Sequence, residues 1–116
     1  MSYSGNCHCG AVAFTVEGDL PDSAIACNCS HCQRKGFLLA FVPAEAFTLD
    51  SGEDALADYQ FNKHRITHRF CKTCGAQSFA EGTDHNGKAT RAINLRCVPA
   101  ADLDTLNIQN FDGASY

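Results

Sequence analysis

The sequence predicts a mainly β fold with little helix, stapled together by metal. Three observations carry that expectation. Apolar residues recur at every second position in several short runs, helical periodicity is scarce, and eight cysteines in 116 residues fall into close groups. In residues 11–17, Val12, Phe14 and Val16 share one face, and Gly18-Asp19 with Pro21-Asp22 then gives a loop. Residues 30–35 suit a short helical turn. The continuous apolar run Phe37-Leu38-Leu39-Ala40-Phe41-Val42, bounded by Gly36 and Pro43, predicts a strand covered on both sides. A second short turn fits residues 43–47. Further strands are expected at Tyr59-Gln60-Phe61 and over residues 67–70, 76–80 and 89–95, with a last turn at 99–103. The stretch after Leu106 is polar, leaving Phe111 either as an anchor or as an exposed ring.

The length fits one domain over residues 1–116, with a core modest enough that staples would help it. Met1-Ser2-Tyr3-Ser4-Gly5-Asn6 is polar, and no apolar run nears the roughly 20 residues of a membrane helix. The expectation is a cytoplasmic protein without a membrane partner. A formal charge of -4 disfavours nucleic acid. Arg34, Lys35, Lys63, Arg65 and Arg69 nevertheless form two local basic clusters, read either as solvated surface or as a site for a small anionic ligand.

A reducing compartment turns the cysteine groups from disulfide partners into metal ligands. Cys71-Lys72-Thr73-Cys74-Gly75 is a zinc-knuckle half-site, its glycine permitting the positive φ that closes such a turn. Cys7-His8-Cys9-Gly10 is a second half-site. Together Cys7, Cys9, Cys71 and Cys74 supply the four thiolates of a closed structural zinc. Thiolate spacing unlike that of ferredoxins favours zinc over an iron-sulfur cluster.

Cys27, Cys29 and Cys32 remain, and three protein ligands with one open position mark a catalytic zinc. Closure of that position by Cys97 or His31 is the competing expectation. Three thiolates make the metal a weak Lewis acid toward water, so hydroxide chemistry is not its natural use. A soft, sulfur-rich zinc instead accepts a further thiol and holds it deprotonated near neutral pH. Such a thiolate can add to an aldehyde carbon, and Arg34 and Lys35 could hold the carboxylates of a thiol such as glutathione.

The ordered set Cys7-His8-Cys9-Gly10, Cys27-Asn28-Cys29-Ser30-His31-Cys32, Phe70-Cys71-Lys72-Thr73-Cys74-Gly75 and Asn94-Leu95-Arg96-Cys97 resembles the glutathione-dependent formaldehyde-activating family, also known through the centromere-protein-V domain. The resemblance implies a β-tent of several small antiparallel sheets pinned by two zincs per chain. It implies structural zinc on Cys7, Cys9, Cys71 and Cys74 and catalytic zinc on Cys27, Cys29 and Cys32. It further implies a carbon-sulfur lyase forming S-hydroxymethylglutathione from glutathione and formaldehyde. Asn28 departs from the pattern, standing where many members carry histidine. The rival expectation is a non-catalytic, zinc-stapled module that binds another protein.

Overall fold

The computed structural model describes residues 1–60 and 66–115 and builds them mainly from strands. In chain order these are β1 (Ser2–Asn6), β2 (Ala13–Glu17), β3 (Ser23–Cys27), the short helix α1 (Ser30–Lys35), β4 (Leu39–Pro43), β5 (Phe47–Ser51), β6 (Leu56–Tyr59), β7 (Thr67–Cys71), β8 (Phe79–Thr83), β9 (Ala89–Asn94) and β10 (Asn107–Phe111). Single 3-10 turns lie at Ala44–Ala46, Glu53–Ala55, Leu95–Cys97 and Gly113–Ser115.

Among the described residues two sheets form, one in the order β1-β2-β5 and one in the order β10-β3-β4-β9-β8-β7-β6. Neighbours are antiparallel except β10 and β3, which run parallel with Asn107 opposite Ser23 and Phe111 opposite Cys27. The larger sheet is thinnest between β3 and β4, where Ile25 opposite Leu39 is the one registered pair. Past that joint, Ala24 of β3 still enters the core, and α1 reaches β6 and β7 through His31 and Lys35.

The core sits where the two sheets meet. Phe14 of β2 stacks on Phe47 of β5 with centroids 5.3 Å apart, and Phe79 of β8 packs against both, at 6.2 and 4.7 Å. Val12, Phe14 and Val16 are all buried, as their shared face predicts, with Ile93 and Leu95 beside them. Aromatic pairs of this kind add to the area they bury. Cys7 and Cys71 belong to the same buried cluster, so the first metal group grows out of the core.

Several expectations need adjustment. The apolar run 37–42 is not a strand covered on both sides. Phe37 and Leu38 are buried ahead of β4, while Phe41 within it is 57% exposed. Residues 76–78 spend their backbone groups elsewhere, with Ala76 O accepting from Cys71 N and Gln77 O from Asn94 Nδ2, so β8 starts at Phe79. The turn expected over 99–103 is present as such. At Tyr59-Gln60-Phe61 the strand ends at Tyr59, and Phe61, like Lys63 and Arg65, lies outside the described residues. Arg69 is engaged by Glu53, Asp58 and Glu81 at 3.3, 3.0 and 3.4 Å, which makes it a sheet fastener and not a ligand-binding cation.

Candidate metal centres

Cys7 follows the last residue of β1 and Cys9 lies in the turn to β2, whereas Cys71 ends β7 and Cys74 lies in the turn toward β8. These strands belong to different sheets. Their four sulfurs nonetheless lie within 4.8 Å of one another. Cys7 and Cys9 Sγ are 3.7 Å apart, and Cys9 and Cys71 Sγ 3.6 Å. Those separations are far beyond a disulfide bond. They match the edge of about 3.8 Å that a tetrahedron with zinc-sulfur bonds of about 2.3 Å requires. The donor set and spacing therefore fit a closed tetrahedral zinc.

Both half-sites use the same local device. Gly10 (φ 85°) donates to Cys7 O, and Gly75 (φ 80°) to Cys71 O, each closing its turn in a conformation costly for other residues. The tight turns aim backbone N–H groups at the sulfurs, from Val12 to Cys7 at 3.3 Å and from Thr73 to Cys71 at 3.4 Å. At Cys71 the backbone N–H bonds from Cys74 and Thr73 outweigh burial and favour the thiolate. Backbone N–H bonds from Ala76 and Cys9 pull the Cys74 thiol down to about 6. Cys9 goes the other way, up to about 11: the Ala11 backbone bond favours its thiolate but is outweighed by the neighbouring Cys71 and Cys7 thiols and by burial.

The second group gathers Cys27 from the end of β3, Cys29 at the N-cap of α1, and Cys32 inside that helix. Their sulfurs also lie within 4.8 Å of one another. Cys29 Sγ accepts from Cys32 N at 3.3 Å, and Cys27 Sγ from Cys29 N at 3.5 Å. Burial alone would raise the Cys29 thiol, but these backbone and sulfur bonds win and lower it. Cys32 is buried, and burial pushes its thiol strongly up. A cation bound here must displace that proton, so binding strengthens as pH rises.

Among the described residues, no fourth donor joins these three. His31 projects its ring against Phe37, Tyr59 and His68, with centroids 5.7, 5.5 and 4.0 Å away. Cys97 lies toward the other cysteine group, near Cys7 and Cys74. Its sulfur lies 3.8 Å from both Gln77 O and Asn94 Nδ2, and burial, with Cys7 and Cys74 nearby, raises its thiol to about 11. Neither expected closure occurs.

Arg34 and Lys35 occupy the last turn of α1, directly after Cys32 and Gln33. Arg34 Nη1 donates back to Ser30 O at 3.0 Å, and Lys35 Nζ lies 5.4 Å from the Phe70 ring centre. Both cations rest on their own chain. Sequence reasoning missed the partners of the three-thiol loop: Asn28 bonds to Asp112 and Ala114, and Gly113 packs against Cys27. Only the departure at Asn28 from the family pattern marked that position in advance.

The cysteine order and the geometry agree with a family match. The model of the family described as glutathione-dependent formaldehyde-activating enzyme matches residues 2–108. The chain belongs to this family. It is also similar to the crystal structure of a Rhodobacter sphaeroides protein, at 27% identity and a TM-score of 0.74, over 91% of this chain and 99% of that one. No helix among the described residues is long and apolar enough to cross a membrane.

Proposed function

We propose that this family member is a zinc-dependent carbon-sulfur lyase-type enzyme that adds a thiol, glutathione, to an aldehyde such as formaldehyde, giving S-hydroxymethylglutathione. The observation that supports this most is the convergence of three sulfurs without a fourth protein donor among the described residues, beside a group of four that is complete. Zinc held by Cys27, Cys29 and Cys32 would supply the positive charge that keeps an incoming thiol deprotonated at neutral pH. In the net reaction a carbon-sulfur bond forms, the carbonyl oxygen gains the proton that the thiol loses, and the reverse reaction breaks the same bond.

The chain's own contribution is to hold and orient. Cys29 and Cys32 are fixed to each other by the first turn of α1, and Cys27 by the end of β3, so the three residues that would hold the zinc are preorganised. Arg34 and Lys35 would bind the thiol's carboxylates. Their present partners, a carbonyl and an aromatic face, are ones that a carboxylate outcompetes. Small molecules are then the partners, without nucleic acid or membrane, for one cytoplasmic domain over residues 1–116.

The test is the exchange rate between formaldehyde, glutathione and their adduct, read by two-dimensional exchange NMR against the spontaneous rate. Acceleration that disappears in Cys29→Ser is the expected outcome. An exchange no faster with protein than without it would leave the non-catalytic, zinc-stapled binding module as the better account.

A further inference from the structure

The parallel pairing of β10 with β3 sends both strands out of the sheet at the same end. Phe111 is registered opposite Cys27, so the chain leaving β10 passes directly beside the three-thiol loop. Residues 109–115 lie beyond the part of the chain that the family model covers. What fastens this segment is Asn28, the residue between the first two thiols. Its backbone N donates to Phe111 O at 3.1 Å, its side-chain Nδ2 to Asp112 Oδ1 at 3.0 Å, and its Oδ1 accepts from Ala114 N at 2.9 Å. An amide presents donor and acceptor side by side, and both are used. Asp112 is held in turn by Ser115 Oγ on its second oxygen, at 2.6 Å.

The segment does more than pass by. A Cβ placed on Gly113 would lie 2.3 Å from Cys27 Sγ and 3.3 Å from Cys29 Cβ, so only a hydrogen fits between this backbone and the thiols. We propose that residues 112–115 form a strap against the Cys27 and Cys29 flank of the three-thiol site, fastened by the Asn28–Asp112 clasp, and that it governs which thiols and metal chelators reach the open position. The proposal rests on the reading of this site as a thiol-binding metal centre and adds its access control. Asp112, Ala114 and Ser115 are exposed, so few apolar contacts hold the strap and a few hydrogen bonds decide whether it is open. A compact thiol passes beside the closed strap, whereas a bulky one needs it lifted.

The experiment compares the intact chain with Asp112→Ala and Gly113→Ala, neither of which alters a metal ligand. Zinc transfer to a chromogenic chelator is followed by native mass spectrometry, which separates loss of one zinc from loss of both. Hydrogen exchange at residues 113–115 reports the strap itself. In Asp112→Ala the Ala114 amide should lose protection, and the more labile zinc should transfer roughly five- to tenfold faster, the effect of one or two lost hydrogen bonds. The second zinc should stay in place, which also shows that the variant is folded. Gly113→Ala, unable to lie against Cys27, should repeat the acceleration. Binding of glutathione should gain more in both variants than binding of 2-mercaptoethanol.

Lost protection with an unchanged transfer rate and an unchanged preference between the two thiols would overturn the strap. So would protection that survives Asp112→Ala. Failure of the enzyme reading looks different, since zinc transfer would still respond to the variants while no variant accelerated adduct exchange.

Discussion

The two cysteine groups differ in what surrounds them more than in their sulfurs. The group of four joins β1 to β7 across the two sheets, with Cys7 and Cys71 each 1% exposed and counted in the core. The group of three sits on β3 and α1, behind a joint of one registered strand pair, with the exposed strap against its Cys27 and Cys29 flank. On the proposed reading the fold depends on the first group and a ligand arrives at the second. The difference teaches that burial of single sulfurs does not separate the two, since Cys9 is exposed and Cys32 buried. A donor set completed across two sheets, against one of three within a single stretch of chain, does.

The largest expected effect breaks the first group. Zinc binding by such sites is worth about 10 to 16 kcal/mol in peptides, against about 5 to 15 kcal/mol for a whole domain. Cys71→Ser should therefore fail to fold, seen as loss of near-ultraviolet circular dichroism together with loss of both metals. A folded, cooperative Cys71→Ser protein would remove the structural role assigned to this group.

Next comes Cys29→Ser, at the centre of the second group. It should keep a cooperative thermal transition, hold one metal less, and lose acceleration of adduct exchange. Unfolding of this variant would erase the contrast between the groups.

A smaller effect concerns His68, buried beside His31 and bonded through Nδ1 to Gln77 Nε2 at 3.0 Å. Burial, with His31 and Lys35 adding, lowers its value from 6.5 to about 4. The unfolded chain then takes up the proton first, so stability is fully present above 6.5 and falls as pH drops toward 4. Between pH 7 and 5 the intact protein should lose about 1 to 2 kcal/mol more than His68→Gln in denaturant titrations. Equal losses would remove His68 from the acid sensitivity.

The smallest effect tests the turn of the first group. Gly75 has open space around it, so Gly75→Ala costs only its positive φ, about 1 kcal/mol, read as a lowered denaturation midpoint with the metal count unchanged.

Much of this contrast is legible in local sequence. Two-residue and one-residue cysteine gaps followed by glycine announce the half-sites, because chelation constrains a few adjacent residues. The period of β2 and the span of α1 are equally local, and the structure returns α1 at residues 30–35. What escapes the sequence is long-range or lacks an apolar signal. β1 reads as polar because its inward positions are Tyr3 and Gly5, and a Cβ on Gly5 would come 2.5 Å from the Phe14 ring. β10 is exposed along its whole length and carries no alternation, so its parallel pairing with β3 follows only from the completed sheet. The placement of Cys97 beside Gln77 depends on the end of β9 meeting the approach to β8. The strap depends on residues 28 and 112, joined across the fold.

The most direct measurement is native mass spectrometry of the intact chain and Cys29→Ser, each with and without glutathione. The account predicts two zincs per chain and a bound glutathione for the intact protein, and one zinc without glutathione for the variant. A single zinc in the intact protein, or glutathione retained equally by Cys29→Ser, would contradict it.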